Sequence, residues 1–77
     1  MWKVIGYEEQ TNDEGEVTAI TMYAVKDMRE KQGVGQKARR VWYRTNEIDY
    51  RPKIDEVVFI ETETRGKYEV VTDIYPV

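Results

Sequence analysis

The chain contains no cysteine, no histidine, no serine and no leucine. Without cysteine there are no disulfides, zinc ribbons, iron–sulfur sites or thiol nucleophiles. Without histidine the usual general base near neutral pH and the commonest transition-metal ligand are missing. Without serine there is no serine-based triad. Only carboxylates, Lys, Tyr and Thr remain for chemistry, and from so reduced a set no enzyme, no cofactor and no metal site is expected. The acidic stretch NDEGE lacks the alternating ligand order and the distant bidentate Glu of a calcium loop. No apolar run approaches the ~20 residues of a spanning helix. The opening MWKVIGYEEQ lacks the basic region and apolar run of a secretory signal. The expectation is a soluble, cytoplasmic protein without membrane contact.

In place of leucine, Val, Ile and Thr together supply 23 of the 77 residues, and Tyr adds six. β-Branched and aromatic side chains suit a pleated, half-buried surface. A chain this short buries only about 60% of the surface it exposes when unfolded, so residues 1–77 make one small domain with one small core. Residues 2–7 and 17–25 alternate in polarity around the turn at 11–16, where Asn12, Asp13 and Gly15 favour reversal; they read as a hairpin. Residues 56–63 and 67–75 read as a second hairpin around Gly66. A third strand is expected over 37–45. The loop 26–36 and the connector 46–56 have room for at most one short helical turn, from Asp27 or near residues 47–50. Trp2, Ile20, Val57, Phe59, Ile60 and Val70 are the expected core.

Five short strands in so short a chain suggest a small barrel, OB-like or alternatively SH3-like, because closure removes exposed edges. A barrel this small is also expected to gain stability by pairing with a copy of itself, which favours a homodimer slightly over a monomer.

Charge is unevenly placed. Residues 26–53 carry nine cations and four anions, whereas the rest carries three cations and eleven anions, so local charges of +5 and −8 sum to the net −3. The positive charge centres on GQKARRVWYRTN, where Lys37, Arg39, Arg40 and Arg44 surround Trp42 and Tyr43. Single-strand nucleic-acid binders combine cations that follow phosphates with aromatic rings on which bases stack. On a strand, Trp42 and Tyr43 point to opposite faces. Tryptophan is highly buried on average, so Tyr43 is the expected surface ring and Trp42 the expected core ring. Arg29 and Lys31 in the preceding loop would extend the same path. The simpler alternative is a solvated strand whose cations lie over apolar surface. The acidic remainder suggests a different role, in which its acidic face and the loop 50–53 bind a protein partner or inhibit a nucleic-acid enzyme.

Three segments carry a family likeness. KVIGYEEQTNDEGEVTAITMYAVKD, PKIDEVVFI and TRGKYEVVTDI resemble the first hairpin, the entry to the fourth strand and the closing hairpin of small phage and conjugative-element proteins of OB-like fold. That family commonly has Gly-Asp where Ile54-Asp55 stand here. The resemblance implies an OB-like barrel that binds single-stranded DNA as an accessory protein of a mobile element, whereas the basic–aromatic strand by itself suits single-stranded DNA or RNA.

Overall fold

A computed structural model of the chain describes residues 1–27 and 33–77. Among them are five β-strands and no helix: β1 (Trp2–Thr11), β2 (Val17–Asp27), β3 (Gln36–Arg44), β4 (Val57–Arg65) and β5 (Tyr68–Pro76). The all-β, five-strand expectation holds. The strands form one antiparallel sheet in the order β3-β2-β1-β4-β5. The helical turn considered from Asp27 falls on residues 28–32, outside the described residues.

The turns follow from their residues. The Asn12 side-chain oxygen accepts from the Glu14 and Glu16 N–H groups at 2.9 and 3.0 Å, and Gly15 sits at φ 82°. The acidic loop is therefore closed by its own asparagine and by a residue able to take a left-handed conformation. Gly66, at φ 61°, serves the tight β4–β5 turn in the same way.

The inner face of the sheet is set by alternation. Val4 on β1, Ile20, Met22 and Ala24 on β2, Val41 and Tyr43 on β3, Val58 on β4 and Ile74 on β5 are all buried. The register places Ile20 opposite Tyr43, Met22 opposite Val41 and Val4 opposite Ala24, so inward residues stack across neighbouring strands. The connector 45–56 completes this core. A turn follows β3, with the Glu47 and Ile48 N–H groups donating to the Arg44 carbonyl at 3.2 and 3.0 Å. The chain then runs extended, with Ile48, Tyr50 and Pro52 buried and Asp49, Arg51 and Lys53 exposed.

The core differs from the expected set at two positions. Val57 and Phe59 face outward, 38% and 41% exposed, while Val58 turns inward and Ile60 packs partly against the core. The run VVFI suggested burial on both sides, but a single sheet with one covered face buries only alternate residues. Ile20 is fully buried, Trp2 packs partly against the core, and Val70 is half-buried.

The barrel does not close. β3 and β5 are the ends of the sheet and no backbone pairing joins them. The molecule measures 49 × 32 × 20 Å, long and thin for a ring of five strands. The two edges are bridged instead by side chains, with Arg39 of β3 reaching Glu69 of β5 at 3.1 Å. Pro76 fits an edge strand: Val77 donates its N–H to Val57 at 3.0 Å, so the missing N–H of its neighbour faces away from β4.

Candidate nucleic-acid interface

β3 has an inner and an outer face, and its cations divide between them. Tyr43 and Val41 point inward with Arg39 and Lys37, whereas Arg40, Trp42 and Arg44 point outward. The expected placement of the two rings is thus reversed. Tyr43 is 3% exposed and donates its hydroxyl to the Tyr50 carbonyl at 2.7 Å, while Trp42 is 49% exposed. The reason lies in the register. Tyr43 opposes Ile20 in the apolar row of β2, and Trp42 opposes Thr21 on the solvent face. Residue type favoured burying the indole, and strand phase overrode it.

The outer face is built by three strands. Trp42 donates its indole N–H to Gln10 of β1 at 3.3 Å, and the Arg44 guanidinium lies 5.6 Å over the same ring. Arg40 opposes Tyr23 of β2, whose hydroxyl donates to Glu8 at 2.9 Å. That hydrogen bond raises the Tyr23 pKa above its ordinary value. The indole is therefore held edge-on by an amide and covered by a cation, a fixed aromatic surface in an electropositive row. Glu47 tempers the row, standing 3.8 Å from Arg44. Between the two sheet edges lies a cleft of about 320 Å³, bordered by Arg39, Arg40, Trp42 and Arg44 on one side and Glu69 and Val71 on the other.

The inner face carries a second basic–aromatic group at the opposite end of β3. Lys26 and Lys37 oppose each other across β2 and β3. The Lys26 ammonium lies 4.7 Å from the Trp2 ring centroid, and the Arg39 guanidinium lies 5.6 Å from it. Trp2 and Lys26 were not among the residues expected to bind. Their proximity is hidden in the sequence, where 23 positions separate them, and emerges only from the β1–β2 register, which sets Lys3 opposite Val25.

The expected site residues are thus dispersed: Arg40, Trp42 and Arg44 lie together outside, Lys37 and Arg39 lie inside, and Tyr43 is in the core. Arg29 and Lys31 lie outside the described residues. The loop 50–53, expected to offer a protein contact, turns Tyr50 and Pro52 inward and leaves Arg51 and Lys53 exposed. The Tyr50 hydroxyl donates to Glu56. Among the described residues no cluster of carboxylates is arranged to hold a metal ion, and no helix is long and apolar enough to cross a membrane. Compared with known proteins, the chain matches no family model, no curated protein and no solved structure.

Proposed function

We propose that this protein is a non-catalytic accessory protein that binds single-stranded nucleic acid on the outward face of β3. The observation that carries the reading is the half-exposed Trp42 ring between Arg40 and Arg44, pinned by Gln10 and overlaid by a guanidinium. Trp42 is the stacking platform, and Arg40 and Arg44 neutralise phosphates on either side. Stacking on an exposed ring tolerates any base, and arginines reach phosphates with paired donors. The five-strand curl with side-chain-bridged edges supports the reading, because OB-type binders are partly open five-stranded sheets. The likeness to small phage and conjugative-element proteins points the same way and would place the work of the protein in the cytoplasm.

The test is fluorescence anisotropy of labelled oligo-dT and of duplex DNA at about 50 and 200 mM salt, a range over which phosphate binding weakens steeply. Tight, salt-sensitive binding to the single strand is expected. Trp42→Ala should weaken it by roughly 5- to 150-fold, the equivalent of about 1–3 kcal/mol for one stacked base. Arg40→Ala should lower the salt slope by about 0.7, one phosphate contact on a single strand. No binding at low salt would overturn the proposal.

One observation favours a second reading, a protein-interaction or inhibitor module. On the outward face of β4 and β5, the rings of Phe59 and Tyr75 lie 5.5 Å apart, both exposed, next to Glu61 facing Asp73. An apolar pair beside paired carboxylates suits a basic protein partner. Failure of oligo-dT to bind, together with co-elution of a partner that Phe59→Glu abolishes, would favour this face.

A further inference from the structure

The register of β1, β2 and β3 lines up three rows on the outer face of the sheet. Gly6, Tyr23 and Arg40 form one row, Glu8, Thr21 and Trp42 the next, and Gln10, Ala19 and Arg44 the third. The Trp42 indole N–H reaches Gln10, so the ring crosses β2 toward β1. Ala19, between Gln10 and Arg44, is only 4% exposed although it faces outward. Glu8 lies in the row of Trp42 and on the same face as Gln10, two residues along β1. The Tyr23 hydroxyl donates to Glu8 Oε1 at 2.9 Å. Tyr23 stands opposite Gly6, which has no side chain to block the path of the phenol to β1. A carboxylate is thereby fixed beside the stacking ring.

Adjacent strands are about 4.8 Å apart, which puts the Glu8 and Trp42 backbones roughly 10 Å from each other. A base lying on the indole and a glutamate side chain together span that gap. A carboxylate weakens the pull of this face on phosphate, and in return it discriminates among bases. An ionised carboxylate only accepts hydrogen bonds, at about four lone-pair positions, and the bond from Tyr23 takes one of them. Unstacked bases of single strands are read on their Watson–Crick edges. There guanine offers two adjacent N–H donors, N1–H and N2–H, which match the two carboxylate oxygens as a guanidinium does. Thymine and uracil place one N–H between two carbonyl oxygens. Adenine and cytosine place an amino group beside an acceptor nitrogen. In each of these four a base lone pair faces a carboxylate oxygen.

We propose that Glu8 is a specificity-determining residue, and that the strand bound on this face carries a guanine stacked on Trp42 with its Watson–Crick edge against the Glu8 carboxylate. The inference rests on the nucleic-acid reading above and adds a base preference to it.

The test compares short oligo-dT strands that differ at one central nucleotide, dT, dA, dC, dG or deoxyinosine, by fluorescence anisotropy with the native protein at one low salt concentration. The dG strand should bind about fivefold or more tightly than the dT, dA and dC strands, the lower end for one bidentate base contact. Deoxyinosine lacks the N2 amino group and should bind more weakly than dG. A 7-deazaguanine strand keeps both donors and should bind like dG. Glu8→Gln should remove the difference between dG and the other bases. Equal binding of all the strands overturns this proposal and leaves the nucleic-acid reading standing. A preference that dA or deoxyinosine shares in full reports purine stacking and overturns it too, as does a dG preference that survives in Glu8→Gln. No binding by any strand overturns both.

Discussion

Tyr43 carries a hydroxyl into the interior and satisfies it with a carbonyl from the connector, so its ionisation is tied to the fold. Burial pushes its pKa up to about 12 from an ordinary 10. The Tyr50 hydroxyl is raised as well, first by burial and then by its hydrogen bond to Glu56. Both groups hold their protons more strongly folded than unfolded. Above pH 10 the unfolded chain releases these protons while the folded chain keeps them, so the stabilisation is complete below pH 10 and lost as the pH rises toward 12. Urea midpoints measured from pH 8 to 12 should be flat at first and then fall, and Tyr43→Phe should shallow the fall. Asp55 offers a second test. It is the third residue of a turn closed by the Glu56 N–H on the Lys53 carbonyl at 3.1 Å, with φ 71°. The left-handed conformation costs a residue with a side chain roughly 1–2 kcal/mol, and glycine returns about 0.5–1 of that through its greater freedom when unfolded. Asp55→Gly should therefore raise stability by up to about 1 kcal/mol in urea unfolding, whereas Asp55→Val should lower it. The sequence showed that Trp42 and Tyr43 face opposite ways but not which faces in. Composition ranks indole as the more buried ring, and only the pairing of Tyr43 with Ile20 settles the phase.

At the scale of elements, both hairpins and the third strand were legible, because alternation, Asn and Gly are local signals. Strand ends were less so: β1 runs on to Thr11 and β4 to Arg65, through polar residues that pairing alone keeps extended. In the sequence, residues 46–56 read as a connector with room for at most one short helical turn, and nothing assigned them to the core. The alternation of Ile48, Tyr50 and Pro52 with charged residues carried the correct answer, but Pro52 and the absence of a pairing partner masked it. This segment acts as a core element without being a strand. Ile48→Ala should cost about 2–5 kcal/mol, the usual loss for a buried aliphatic side chain, where a solvent loop would lose almost nothing; chemical denaturation distinguishes the two. Charge could be counted in the sequence, but its division between the two faces of β3 could not be seen without the phase of that strand.

The whole molecule is assembled from two parts. β1, β2 and β3 form one continuous meander, and β4 with β5 forms a separate hairpin. Between them the register is short, with Trp2 opposite Val58 and Lys3 opposite Val57, extended by bonds from Val4 to Glu56 at 2.9 Å and from Asp55 to Val4 at 2.8 Å. At the other margin, Arg39 and Glu69 meet as a partly exposed ion pair, an interaction worth at most about 1 kcal/mol. Exchange of the closing hairpin with another chain would remake this seam and would draw residues 45–56, with Ile48 and Tyr50, out of the core. Incubation at high concentration in mild denaturant, followed by dilution, should yield a dimer in size-exclusion chromatography that reverts slowly and keeps the monomer's circular dichroism. A cysteine pair placed across β1 and β4 should then cross-link between chains. A sample that stays monomeric throughout would rule the exchange out. A dimer in that experiment would make the ring that the strands leave unfinished a point of trade, with the closing hairpin as the piece that identical molecules exchange.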